Sequence, residues 1–275
     1  MLPFIDTTHS NTQYQIMPTK IKTPATYIHF FFDLNAIFQQ QEYVITYKGD
    51  KLELNAKRRK SSRQAENNLP VSNHLIIKTQ EQKKHEAIKK GLMFLSEISW
   101  LYDTAIIKVD IHEHSTQGLS SSTDLSGHGI TGGSIDLTYY KPMELDNDQM
   151  LAVGLYKEAI SSNIHFFGFL GLFKILEIQM NGKQRRQYLN NFIRERRKDF
   201  NLRGEYAESL DDAEQLQFNL YKLGRCAVAH ANDKDRIDTH NIHDHVRLDL
   251  YYQIIKPIVR SYMIEEMNIP ELLEY

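Results

Sequence analysis

The chain has 275 residues, 41% hydrophobic and 25% charged, the balance of a globular protein with room for one large domain or two ordinary ones. Its formal net charge of −2 excludes a globally basic coat for nucleic acid, so a polyanionic partner would have to meet a local patch. The single cysteine, Cys226, excludes an intramolecular disulfide and fits a reducing compartment, with a cytoplasmic location expected.

The opening stretch, MLPFIDTTHSNTQY, lacks a basic segment followed by an apolar one, so no signal peptide is expected. Tyr27 to Phe32 is aromatic and β-prone. Tyr43 to Tyr47, a Lys48-Gly49-Asp50 turn and Lys51 to Leu54 read as a hairpin, and Leu75 to Lys78 as a further strand. From about Gln80 to Tyr102 apolar residues recur at helical spacing, predicting one long helix laid over a sheet. Ile106 to His114 alternates as a strand, with His112 and His114 on one face. A Gly/Ser-rich stretch follows from Ser115 to Ser134, and Ile135 to Tyr140 reads as a short strand before Lys141-Pro142. The loop from Gly127 to Gly133 lacks the Lys-Ser/Thr of a phosphate cradle and precedes a strand, so it reads as a plain loop.

After residue 142 the pattern is helical, which sets the expected division into an α/β domain over 1–142 and a helical bundle over 143–275: an α+β chain. Asp146-Asn147-Asp148 caps a helix through Ile160, ended or kinked at Ser161-Ser162-Asn163. The apolar stretch from Phe166 to Met180 contains Lys174 and Glu177 and is shorter than the roughly 20 residues that span a bilayer, so it reads as a buried helix and no membrane partner is expected. Asn181-Gly182 reads as a helix-stop turn. Lys183 to Phe200 is a basic amphipathic helix, with Tyr188, Leu189, Phe192 and Ile193 inward and Arg194, Arg196, Arg197 and Lys198 outward. A helix capped by Asp211 follows, then a last one from about Asp244 to Met267 with Pro257 inside. Four or five helices are expected.

The penultimate helix ends in Leu220-Tyr221-Lys222-Leu223-Gly224-Arg225-Cys226-Ala227-Val228-Ala229-His230-Ala231. Its Arg225 and His230 suit phosphodiester chemistry, because histidine titrates near neutral pH and arginine offers a planar, permanently charged fork to phosphate oxygens. On an ideal helix five residues turn through roughly 500°, leaving the pair about 140° apart. They meet within one chain only if the helix loosens before His230 or the Arg side chain bends round; two antiparallel motif helices in a dimer are the other solution, and the one expected. Glu177 is a carboxylate in an apolar helix, costly to bury unless it holds Arg225 or another cation, and otherwise on the exposed side. The bland alternative for the pair is that Arg and His suit the negative end of a helix, with Asn232-Asp233 as its capping turn. The histidines at 240, 243 and 245, and those at 112 and 114, match no closed metal pattern, so no metal is expected. Basic runs at Lys57 to Lys60 with Arg63, and at Arg194 to Lys198 with Arg185 and Arg186, are the candidate nucleic-acid footprints, against a solvated face as the plain reading.

The order of helices, the Arg225 to Ala231 string and the upstream Phe173-Lys174-Ile175-Leu176-Glu177-Ile178 resemble the HEPN domain, in the branch that includes MauJ, over about residues 148 to 268. The resemblance implies a metal-independent endoribonuclease without a cofactor, acting on RNA as a homodimer with two motif helices facing one cleft and yielding 2′,3′-cyclic phosphates. It implies that His230 acts on the ribose 2′-hydroxyl or positions the phosphate, and that Arg225 neutralises charge developing on the phosphorane. Glu177 and Cys226 would support them; Arg185, Arg186, Arg194, Arg196, Arg197 and Lys198 would contact RNA. Cys226 stands where many catalytic members carry a polar residue, a departure that bears on activity more than on fold. By family analogy such proteins are toxins, defence effectors or RNA-processing factors, some with a protein antitoxin or regulatory partner. The alternative reading is a non-catalytic HEPN-like module for dimerisation or for partner or nucleotide binding.

Overall fold

Alternation of apolar and polar residues builds the first layer. Five strands, β1 (Ala25–Leu34), β3 (Glu42–Tyr47), β4 (Asp50–Asn55), β5 (Asn73–Gln80) and β6 (Ile106–His114), form an antiparallel sheet in the order β3-β4-β5-β1-β6. A short β2 (Ile37–Phe38) pairs in parallel with β7 (Ser134–Ile135). The computed structural model describes residues 25–56, 72–115, 133–196, 200, 211–230, 237–238 and 240–272. The expected basic run at 57–60, most of the Gly/Ser-rich stretch, Arg197, Lys198 and Asn232-Asp233 lie outside them.

The expected hairpin is present: Lys48 (φ 45°) and Gly49 (φ 86°) both take the left-handed conformation, the backbone of a tight turn whose twist matches the flanking strands. One sheet face, with Ile28, Phe30, Phe32, Leu52, Leu54, Leu75 and Ile77, packs under α1 (Lys84–Leu101). Gly91 permits the close approach, because a Cβ there would come within 2.2 Å of the Phe30 ring. The helix begins later than its spacing predicts, since a 3₁₀ turn occupies Glu81–Lys83. The strand expected through Tyr140 stops at Ile135: the Asp136 carboxylate accepts hydrogen bonds from the Thr138 N–H (2.9 Å) and hydroxyl (2.5 Å), a local turn that competes with pairing. The buried Glu97 of α1 accepts from the hydroxyls of Tyr47 (2.6 Å) and Tyr140 (2.5 Å) and from the Met143 N–H (3.0 Å), tying hairpin, helix and linker together.

The second layer is helical: α2 (Asn147–Ser161), α3 (His165–Leu176), α4 (Gly182–Glu195), α5, and α6 (Ile242–Glu265). Helix α5 runs as Ala213–Asn219, widens over Leu220–Cys226 and closes with Ala227–Ala229. Three expected ends move. Asn181 starts α4 instead of stopping α3, its side chain accepting from the N–H groups of Lys183 and Gln184 in a capping box. Asp212, not Asp211, caps α5 through the Gln215 N–H, and Asn241 caps α6. Trp100, the penultimate residue of α1, belongs to the helical core: it meets Tyr156 edge-on at 5.1 Å, lies 4.6 Å beneath the Arg260 guanidinium, and donates from Nε1 to the Pro270 carbonyl at 2.6 Å. Helix α1 thus contributes to both hydrophobic clusters. Among the described residues no helix is long and apolar enough to cross a membrane.

Candidate functional site

Helix α3 is apolar on nearly every side because it runs through the helical core, with Phe169, Leu172, Phe173, Ile175 and Leu176 buried. Its acidic side chain, Glu177, comes at the C-cap, where the helix reaches the surface. Helix α5 comes up beside it. At the crossing stands Gly224, where a Cβ would fall 2.7 Å from the Phe169 ring and 3.3 Å from Tyr251, so only glycine lets the backbone approach this far without displacing those rings.

Around that glycine α5 opens into a π-helix over Leu220–Cys226. A π turn is bonded i to i+5; it is a rare element that often marks a functional site. The helix then leaves regular geometry at His230, whose backbone is extended (φ −125°, ψ 98°). Between the two residues the chain resumes α geometry over Ala227–Ala229, with the His230 N–H bonded to the Cys226 carbonyl at 2.9 Å, so the helix end at His230 and the reach of the long Arg225 side chain close the roughly 140° separation predicted for a straight helix. Arg225 Nη1 lies 3.3 Å from His230 Nε2 within a single chain.

Glu177 fixes the other side of the guanidinium. Its Oε1 accepts from Arg225 Nε at 3.1 Å, with the two side chains about a quarter exposed. The same oxygen is 3.8 Å from Arg185 Nη2. Burial works against the Arg225 charge, but the Glu177 hydrogen bond and charge, aided by Cys226 and Tyr221, outweigh it and hold the guanidinium more firmly protonated than usual. Arg185 is buried, its guanidinium 5.3 Å from the Phe173 ring centre and 5.9 Å from that of Tyr221. The result is a chain of contacts, Phe173 and Tyr221 around Arg185, then Glu177, Arg225 and His230, ending at the surface.

The other basic residues are dispersed. Arg186 is exposed on α4. Arg194 is 2.8 Å from Glu214, and Arg196 forms a two-bond fork with Glu265 (2.6 and 2.9 Å) besides donating to Ser261. Cys226 is half-buried beside Arg225. Sequence reasoning missed Tyr221 and Gly224. Tyr221, four residues before Arg225, looked like one more helical apolar position, and the glycine directly preceding the motif was the available sign of a close crossing.

Two of the histidines weighed as metal ligands pack on aromatic rings. His245 packs on Phe166 (4.8 Å between rings) and His112 on Phe31 (5.7 Å). His29 Nδ1 lies 2.9 Å from His74 Nε2 across the sheet face opposite α1. Among the described residues no three His, Cys, Asp or Glu side chains converge on a metal position.

With this geometry in view, comparison with known proteins gives one match. Residues 152–264 match the family described as methylamine utilization protein MauJ. The segment runs from α2 into α6 and contains Glu177, Arg185, Arg225 and His230. The helical half is therefore similar to the HEPN-related MauJ proteins, in agreement with the resemblance of the motif. No curated protein and no solved structure matches the chain.

Proposed function

We propose that the protein is a metal-independent endoribonuclease whose reacting groups are Arg225 and His230. The observation that carries this reading is their 3.3 Å contact at the surface, with the guanidinium anchored from behind by Glu177. Guanidinium nitrogens only donate, so in this contact His230 Nε2 is the acceptor and the proton of the neutral ring sits on Nδ1. A phosphate entering between them takes the Arg225 Nη groups and frees Nε2 for the ribose 2′-hydroxyl. His230 then removes that proton, the 2′-oxygen attacks phosphorus, and the P–O5′ bond breaks to leave a 2′,3′-cyclic phosphate and a 5′-hydroxyl. Arg225 meets the charge that accumulates on the non-bridging oxygens. DNA, without the 2′-hydroxyl, is not cut.

The leaving 5′-oxygen needs a proton, and a second copy of the chain would supply it from its own His230. Exposed Phe218 and Tyr221 on α5, the helix that carries the motif, offer that copy apolar contacts. On this reading Arg186 and Arg194 are the RNA contacts best placed for solvent access, and the half-buried thiol of Cys226 suits a reducing cytoplasm. A toxin or defence role, with an antitoxin or regulatory partner, is the biological setting that accompanies such an activity.

The rival is a non-catalytic interaction module, favoured by the commitment of Arg225 Nε to Glu177 as an internal brace. One experiment separates them: total and structured RNA incubated in EDTA with the wild type, His230→Ala and Arg225→Ala. Cleavage to cyclic phosphate ends that is lost in both variants is the expected result. Intact RNA at large enzyme excess, or equal cutting by the variants, rejects the catalytic assignment.

A further inference from the structure

A second cleft opens away from Arg225, where β6, the edge strand of the five-stranded sheet, meets α1, α2 and α3. Its volume of about 590 Å³ is that of a small-molecule site, and junctions between layers are where such sites occur. The floor is fixed. The Ile106 N–H donates to Ser161 Oγ at 2.9 Å, stitching β6 to the end of α2, and Gly171 brings α3 so near α2 that a Cβ would sit 3.0 Å from Ala159 Cβ.

Three side chains on the walls are hard to explain by folding alone. Lys108 sits at a β-bulge: Phe32 pairs with Val109 and Asp33 with Ile107, so Lys108 is the extra residue of β6. Its φ of 51° is an unfavourable left-handed conformation for a lysine, and bulges of this kind re-aim a side chain, here towards the cleft. Lys157 has a side chain only 8% exposed, yet its ion-pair partner, the adjacent Glu158 at 2.7 Å, is 72% exposed. An ammonium carries three donors, and this exposed carboxylate takes one of them. Phe167, in the first turn of α3, is 62% exposed. Two lysines against one glutamate line the cleft, and the nearest further acid, Asp110, stands 3.9 Å from Lys108.

We infer that this cleft binds a small phosphate-bearing molecule with a flat ring, of the nucleoside monophosphate class. The phosphate takes the two ammonium groups, filling the remaining donors of Lys157 and using the strained bulge of Lys108. The base lies on the Phe167 ring, which recovers the apolar area now left in water. Helix α3 links this site to the other: Phe167 and the Glu177 cap are ten residues apart, about 15 Å along the axis, so a ligand bridging β6, α2 and α3 stiffens the frame that holds Arg225.

The test is isothermal titration of the full chain in EDTA with AMP, CMP, adenosine and inorganic phosphate, using the wild type, Lys157→Met, Lys108→Ala and Phe167→Ala, each checked for an unchanged circular dichroism spectrum. One AMP or CMP per chain is expected, at least tenfold weaker in Phe167→Ala and in either lysine variant, with adenosine and phosphate each binding more weakly than AMP. Because Lys108 and Phe167 reach solvent, their variants keep the test decisive even if Lys157→Met fails to fold. Absence of saturable AMP and CMP binding, affinities unchanged in Lys108→Ala and Phe167→Ala, or loss of binding in Arg225→Ala would each overturn the inference. None of these readouts depends on RNA cleavage, so the two proposals fail separately.

Discussion

Glu177→Gln keeps the shape of the cap but removes the charge that anchors Arg225, and the consequence can be worked from the contact. The Nε to Oε1 distance is 3.1 Å with the two side chains 25% and 26% exposed. A bare pair of charges at that separation attracts by about 5 kcal/mol at an effective dielectric of 20, but desolvation, side-chain ordering and residual solvent screening leave roughly 1–2 kcal/mol for a partly buried charged hydrogen bond. In a chain of this size that loss lowers the melting temperature by about 2–6 °C. Urea unfolding of Glu177→Gln, Arg225→Met and the double variant should give a coupling energy of about 1–2 kcal/mol. Arg185, 3.8 Å from the same oxygen, should couple to Glu177 by less than Arg225 does. Single-variant losses that add to within about 0.5 kcal/mol, or a stronger coupling to Arg185, would refute Glu177 as the anchor of the motif arginine.

Gly224→Ala forces a methyl to within 2.7 Å of the Phe169 ring, an overpacking cost of about 1–3 kcal/mol; thermal denaturation should show it, and a neutral result would mean that the crossing relaxes freely. His74 has its pKa lowered to about 4, first by burial and then by the charge of His29. A depressed folded pKa means that its contribution is complete above the unfolded value of about 6.5 and disappears as pH falls towards 4, up to roughly 3 kcal/mol. Chemical denaturation at pH 7.5 and 4.5 should therefore show a smaller acid-induced loss in His74→Phe than in the wild type, and equal losses would exclude His74 as a source. Lys48→Asn places a residue tolerant of φ 45° in the hairpin turn and should raise stability by about 0.5–1 kcal/mol in the same assay; a destabilised variant would argue that the lysine makes a contact worth more than the strain.

What could be read from the sequence tracks how local its cause is. Lys48-Gly49 announces its hairpin because two residues decide the turn, and the helical recurrence from Ala87 to Trp100 announces α1 because a single face repeats. Errors arose where a short-range hydrogen bond competes with a pattern. Ile135 to Tyr140 alternates like a strand, yet the Asp136 carboxylate captures Thr138 and turns the chain. Asn181-Gly182 fits a helix end by composition, but the Gln184 side chain reaches back to the Asn181 N–H at 2.9 Å, and the reciprocal bond makes it a start. That Trp100 joins the helical core rather than the sheet's core depends on where α2 and α6 lie, which no local pattern carries.

The site divides along the same line. Glu177 stood out because a carboxylate in an apolar helix needs a partner, and Arg225 proved to be it. The buried course of Arg185 under Tyr221 follows from the packing of α4 on α5, and the widened turn was hidden because reading helices at 3.6 residues per turn presupposes the regular geometry that Leu220–Cys226 abandons. That presupposition favoured a dimer over a loosened helix as the way for Arg225 and His230 to meet. With the pair already in contact within one chain at the extended His230, the proposed reaction would need a second subunit only as the source of the proton for the leaving oxygen. The two roles are separable by substrate: an RNA analogue with a leaving group that departs unprotonated should be cut at rates insensitive to dilution of the protein, whereas cleavage of ordinary RNA should fall as a dimer dissociates.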